Sequence, residues 1–131
     1  MILYMTFGTN DLARARAFYD PVLATLGPVQ VFEGKTEVGY GRPGDADPHL
    51  YITAPHDGHS ATKGNGTMLA LTAPTRAAVQ AFHAAALAHG GSDEGAPGLR
   101  YSANFYSCYV RDPDGNKLSA VCDLPETGKE E

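Results

Sequence analysis

The sequence predicts an α+β domain built from two β-α-β-β-β modules in tandem, each curling a mixed sheet around one side of a half-barrel cleft, with both helices outside. Three observations carry the prediction. Two stretches repeat their apolar residues at helical spacing and stop at glycine. Three short apolar runs follow each of them. A shift of 64 positions places Ala17-Phe18 on Ala81-Phe82, Leu23 on Leu87 and Gly27 on Gly91, which keeps the order strand, helix, glycine stop.

The N-terminal Met1-Ile2-Leu3-Tyr4-Met5 reads as a strand that begins at once. From Asp11 to Leu26, the residues Leu12, Ala15, Phe18, Tyr19, Val22 and Leu26 form one apolar stripe. Asn10 or Thr9 suits the N-cap and Gly27 the stop, while Pro21 predicts a kink or a tightened last turn. Runs at Val29–Phe32, Glu37–Gly41 and Leu50–Thr53 complete the first module, with 43–48 as a turn. The 64-residue shift places Tyr4 on Met68, inside the strand that precedes the second helix. This helix runs from about Pro74 to His89, with Thr72 as cap, Pro74 in the first turn and Gly90-Gly91 as stop. A weak stretch at Asp93–Leu99 precedes Phe105–Arg111 and Lys117–Cys122, which Asp112-Pro113-Asp114-Gly115 joins as a turn. The expected layout is one domain over 1–131: modules at 1–53 and 66–124, a Gly- and His-containing linker at 54–65, and a flexible tail at 125–131.

A chain of 131 residues, 43% hydrophobic, has the size and composition of one globular domain. Its formal charge of −5 argues against nucleic acid or an anionic membrane as the main partner. No run approaches the roughly 20 apolar residues that a spanning helix needs. The first residues lack a basic, signal-like start, so a cytoplasmic protein is expected. Cys108 and Cys122 have no zinc-site or CxxC spacing and read as buried, reduced thiols. Two modules facing each other across a cleft make a natural small-molecule site.

Three segments resemble the vicinal oxygen chelate superfamily, which holds glyoxalases, bleomycin- and fosfomycin-resistance proteins and extradiol dioxygenases. Residues 9–20, with Asp11-Leu12 and Phe18-Tyr19, are similar to its D-L-x-R-x-x-x-F-Y first helix. Gly64-Asn65-Gly66-Thr67-Met68 is similar to its G-x-G-x-H strand, and Tyr101 through Val121 to its final hairpin with R-D-P-D-G-N-K-L. The resemblance spans nearly the whole chain and implies the paired-module fold. It does not by itself settle function, because the fold hosts lyases, transferases, dioxygenases and binders.

In metal-dependent relatives, four strands supply His, Glu or Gln to a divalent ion that polarises vicinal oxygens. The resemblance puts Tyr4 and Met68 where His is common, Ser119 where Glu is common, and Tyr51 at the fourth place. Phenol, thioether and hydroxyl groups do not make an ordinary site for zinc, nickel, manganese or iron. His49, two residues from Tyr51 and so on the same strand face, is the one nearby imidazole. The expectation is a cleft without metal or other cofactor. It would bind a small organic molecule through Tyr4, His49, Tyr51, Met68 and Ser119. Tyr101 and Tyr106 beside the final hairpin are open to either lining or packing roles. Plain core filling by Tyr4, Met68 and Ser119 is the bland reading. The enzymatic alternative is a glyoxalase-like lyase or a dioxygenase acting on a small vicinal-oxygen substrate.

Other residues read as structural. Phe18 and Phe82 belong to the core. His56 and His59 are linker side chains, and His83 and His89, six apart on a helix, are expected to be exposed. Asp112 and Asp114 mimic a catalytic pair but fit turn chemistry, with Asp112 accepting local backbone hydrogen bonds. Arg42 and Arg111 read as strand-end charges. Family members of this length often pair to cover strand edges, so a homodimer is expected.

Overall fold

The computed structural model describes residues 1–126. The expected tail at 125–131 therefore lies outside the described residues from 127 onward. Elements run in the order β1 (Met5–Gly8), α1 (Leu12–Ala24), β2 (Val29–Glu33), β3 (Glu37–Gly41), β4 (Leu50–Thr53), β5 (Met68–Thr72), α2 (Arg76–Ala88), β6 (Ser92–Leu99), β7 (Phe105–Arg111) and β8 (Lys117–Asp123). They build two four-stranded mixed sheets with matching orders, β1-β4-β3-β2 and β5-β8-β7-β6. Neither sheet is closed. No helix among the described residues is long and apolar enough to cross a membrane.

The twofold likeness of the modules is visible in the pairing. Parallel β1 and β4 put Met5 opposite Leu50 and Thr6 opposite Tyr51. Parallel β5 and β8 put Leu69 opposite Leu118 and Ala70 opposite Ser119. Tyr51 and Ser119 thus hold equivalent places, as do Tyr4 and Met68, each just before the residue paired to Leu50 or Leu118.

Each strand sends alternate side chains to its helix. Phe7, Val38, Tyr40, Leu50 and Ile52 from the first sheet meet Ala15, Phe18, Tyr19, Val22 and Leu23 of α1 in one buried cluster. The same cluster takes in Val79, Phe82 and Ala86 of α2 with Cys108, Val110, Leu118, Ala120 and Cys122 of the second sheet. Both cysteines are free and buried. The helices touch each other, so the two modules share one core.

Element ends differ from the local sequence signals. The strand starts at Met5, not Met1: its first backbone bond runs from Met5 N–H to His49 O, and Met1, Ile2 and Leu3 stand exposed. Asp11, not Asn10 or Thr9, caps α1, its carboxylate accepting from Arg14 N–H. Thr75, not Thr72, caps α2 by accepting from Ala78 N–H. The helix tolerates Pro21 and tightens after it, where Thr25 N–H and Oγ1 both donate to Val22 O. Gly27 stops α1 at φ +112°, and its true counterpart is Gly90 at φ +99° rather than Gly91. Gly91 serves close packing instead: a Cβ there would stand 2.6 Å from Arg111 O and 2.7 Å from Phe18.

The β7–β8 turn does more than reverse the chain. Asp112 accepts from Asp114 N–H and Asn116 N–H at 2.9 Å each, the local role expected of it. It also accepts from the buried Tyr19 hydroxyl at 2.5 Å and from Asn116 Nδ2 at 2.9 Å. Asn116 Nδ2 donates to Gly8 O. Asp114 accepts from Thr9 Oγ1 at 2.6 Å, Asn10 N–H at 3.0 Å and Arg14 at 2.7 Å. The turn of one module is therefore latched onto the β1–α1 junction of the other.

Candidate functional site

The face of each sheet turned away from its helix is the open face. On the first sheet, alternation leaves Tyr4, Thr6, Tyr51 and Thr53 on that face, opposite in direction to the buried Phe7, Leu50 and Ile52. Tyr4 and Tyr51 meet edge to face at 5.1 Å, and Phe32 of β2 approaches Tyr51 at 6.2 Å. Tyr4 is 52% exposed and Phe32 41%, so both rings present surface to solvent. Gly39 lies beneath Pro48, whose ring carbon would be 2.4 Å from any added Cβ. That contact brings the 43–48 turn over the sheet, where it walls a cavity of about 380 Å³ with Tyr4, His49 and Tyr51.

His49 reaches the cavity as its spacing from Tyr51 implied. Its Nε2 stands 3.3 Å from Asp45 Oδ2 and its Nδ1 3.4 Å from Leu3 O. The Arg42 N–H, first, and the Arg42 and His49 charges hold the Asp45 carboxyl below its usual range. This wall is aromatic below and acidic at its rim, with Asp45 and Asp47 both lining it.

The second open face is different. Met68, 42% exposed, begins it, followed by Ala70 and Thr72. Ser119 is fully buried between its pair partners Tyr109 and Ala70, and its Oγ has no hydrogen-bond partner. The Tyr109 ring carries two cations, Arg100 at 5.1 Å and Lys117 at 5.4 Å. Sequence reasoning missed this cluster. Lys117 and Ser119 share a face by simple alternation, a signal the sequence does hold, but Tyr109 joins them only through the hairpin register.

The other candidates go elsewhere. Tyr101 sits in the loop before β7 at φ +68°, almost fully exposed and edge-on to Phe105. Tyr106 points to the helix face, under Arg76, with its hydroxyl accepting from Gln80 of α2. Neither joins Tyr4 and Tyr51. His83 is not the free surface residue expected: its Nε2 lies 2.8 Å from Asp93 Oδ1, and the side chain is only 13% exposed. Arg111 pairs with Glu94, and Arg42 with Asp45. Burial pushes the Cys108 thiol up to about 11, so it is no nucleophile near neutral pH.

No group of three or more His, Cys, Asp or Glu among the described residues is placed to hold a metal ion. The donors at the four strand positions are two phenols, a thioether and a hydroxyl, and the hydroxyl is buried without a partner. That set does not fit a divalent ion, which takes carboxylate, imidazole or thiolate ligands.

The model of the Glyoxalase/Bleomycin resistance protein/Dioxygenase superfamily matches residues 1–119. The chain belongs to this superfamily. A glyoxalase/bleomycin resistance protein from Albidiferax ferrireducens T118 shares 40% identity at TM-score 0.80, over 90% of this chain and 94% of that one. Lactoylglutathione lyase from Agrobacterium tumefaciens shares 22% identity at TM-score 0.67, over 92% of each chain. The fosfomycin resistance protein FosX of Listeria monocytogenes, solved with Mn(II) and sulfate, shares 14% at TM-score 0.68, over 92% of this chain and 88% of that one. The last two likenesses concern the fold alone. Among curated proteins, no sequence matches significantly.

Proposed function

We propose that this superfamily member is a metal-free binder of a small organic molecule, which it holds against its open sheet faces. The observation that carries the reading is the aromatic cluster of Tyr4, Tyr51 and Phe32. Tyr4 and Tyr51, at positions where the resemblance puts metal ligands, line a cavity of about 380 Å³, a size that suits a small ligand. Exposed aromatic surface of this kind favours stacking on a planar partner. A catalytic reading finds less support, because among the described residues no nucleophile with a neighbouring base lies on either open face.

The active form is a homodimer. Strands β1 and β5 end their sheets with a free edge each, and the exposed Met1, Ile2 and Leu3 lead into β1. Covering such edges and apolar residues with a second copy removes both liabilities. Free buried thiols fit a cytoplasmic setting.

The test is a binding screen of planar aromatic compounds by tyrosine fluorescence, with Tyr51→Ala as the partner variant. Binding to the native chain that Tyr51→Ala weakens about tenfold, while its melting temperature holds, supports the reading. Equal affinity in both proteins contradicts it.

A further inference from the structure

Tyr101, in the loop between β6 and β7, is the one residue other than glycine at positive φ among the described residues. Its φ is +68°, and Ser102 N–H donates across it to Arg100 O at 2.7 Å. A three-residue turn of this hand is rare and strained, and a side chain at its centre adds to the cost. The six other described residues at positive φ are all glycine. Tyrosine is therefore kept here against the preference of the backbone. Core packing does not explain it: Tyr101 is 89% exposed, and its ring meets Phe105 edge to face at 5.3 Å. The turn is also held from both sides. Arg100 donates its backbone N–H to Phe105 O and its guanidinium to the carbonyls of Ala96, Gly98 and Ser107. Arg76 of α2 donates to Ala103 O, and Asn104 N–H to Ser102 Oγ. The backbone that carries the ring is thus fixed before anything binds, which lowers the ordering cost of binding.

Strained residues of this kind cluster at ligand clamps and persist where flanking contacts over-determine them. Phe105 shows where a ligand would lie. Its neighbour Tyr106 points to α2, so Phe105 faces the other way, and it lines a cavity of about 420 Å³ with Thr72, Pro74, Val121 and Leu124. This cavity sits at the far end of β5 and β8 from Met68 and Lys117. From this geometry we infer that Tyr101 is an aromatic clamp. With Phe105 it grips the planar ring of a ligand at this end of the second sheet. The exposed face of the Tyr101 ring offers more to another π-system than to an aliphatic group of the same area. Asp123 also lines the cavity, and its carboxylate disfavours an anion. The ligand class is therefore a planar ring system that is neutral or cationic.

This inference rests on the reading that the open faces hold a planar organic ligand, and the experiment keeps the two apart. The full chain is titrated with naphthol and with decalol, its saturated and non-planar analogue, following backbone amide shifts. Native protein, Tyr101→Phe, Tyr101→Gly and Tyr51→Ala are compared, with melting temperature and light scattering for each. The expected result is that naphthol shifts amides in 101–106 and 121–124 and binds about fivefold more tightly than decalol, the ratio that an aromatic pair supplies. Tyr101→Phe keeps that preference. Tyr101→Gly abolishes it while melting no lower than native, since glycine takes the positive φ freely. A lower melting temperature for Tyr101→Gly makes the ring a structural part and overturns the clamp, as does unchanged affinity for naphthol in that variant. A fall from dimer to monomer mass in Tyr101→Gly assigns the ring to a subunit contact and overturns it too. Amide shifts confined to 4–8 and 49–53, and lost in Tyr51→Ala, overturn the clamp but leave the ligand-binding reading standing. No binding of either compound counts against both readings.

Discussion

Replacing Asp112 by alanine tests how the two modules are held together. The carboxylate is 4% exposed and accepts four hydrogen bonds: from the Tyr19 hydroxyl, Asn116 Nδ2, Asn116 N–H and Asp114 N–H. Alanine leaves the Tyr19 hydroxyl with no acceptor in a fully buried setting, and Asn116, 7% exposed, loses two. A buried donor left unpaired costs about 1–3 kcal/mol, and more when its partner was charged. The Tyr19 hydroxyl and the Asn116 N–H lose their acceptor outright, while Asn116 Nδ2 keeps Gly8 O, so the total comes to about 3–5 kcal/mol. That is a large part of the roughly 5–15 kcal/mol by which a domain is stable. At this chain length it corresponds to a fall of about 10–20 °C in melting temperature. Urea unfolding followed by circular dichroism measures it directly, with an unchanged m-value showing that the folded and unfolded states themselves are the same. A double-mutant cycle sharpens the test. Tyr19→Phe alone is destabilising by about 1 kcal/mol, but in the Asp112→Ala background it is neutral or stabilising, because it then removes an orphaned hydroxyl. A loss below about 1 kcal/mol for Asp112→Ala, or strict additivity with Tyr19→Phe, refutes the latch.

Further expectations follow from the same geometry. Gly91→Ala destabilises the fold by at least about 2 kcal/mol, since its Cβ meets Arg111 O and Phe18 and a backbone carbonyl yields little; a thermal melt equal to native contradicts this. Alkaline pH unfolds the protein. Tyr19 is raised by burial and then by Asp112, Tyr40 by burial and then by Asp20, and Cys108 by burial. These native groups stay protonated while their unfolded counterparts ionise, so stability is intact below about pH 8, where the unfolded thiol is still protonated. It falls first through the thiol and then, above pH 10, by about 1.4 kcal/mol per pH unit for each buried tyrosine. Denaturant midpoints that stay flat from pH 8 to 11 would sink that account. In solution the chain runs at twice 13.8 kDa by light scattering, and a monomer mass at micromolar concentration removes the proposed dimer.

Much of the fold is written in local pattern. The bounds of β3, β4 and β7 follow directly from apolar runs between turn residues, and the two helices from their spacing. What the sequence hides is set by partners far along the chain. Thr9 and Asn10 look like helix caps, but Thr9 Oγ1 is claimed by Asp114 and the Asn10 side chain by Ala61, which leaves the cap to Asp11. Met1 to Tyr4 have strand-like composition, yet a strand needs a neighbour, and the pairing of β1 with β4 begins only at Met5. Of the candidate site, alternation alone puts His49 on the face of Tyr51, whereas Tyr4 and Tyr51 were legible only through the family resemblance, and the β1–β4 register is what brings their rings together. Tyr106 was not legible, because its direction depends on which face of β7 receives α2. Lys117, Tyr109 and Arg100 escaped for a related reason: a cation over a ring has no sequence signature when the two sit on different strands.

The central claim is that this member of the superfamily holds its ligand without a metal ion, and metal titration tests it most directly. Zn²⁺, Ni²⁺ and Mn²⁺ are each titrated into chelator-treated native protein and into the Tyr4→His, Met68→His, Ser119→Glu triple variant, with calorimetry and melting temperature as readouts. The account predicts no stoichiometric binding and no stabilisation in the native chain. Because binding to the folded state must raise stability, it also predicts a clear upward shift in the variant, whose added imidazoles and carboxylate supply the missing ligands. One metal ion bound per native chain, with a higher melting temperature that chelator reverses, would contradict it.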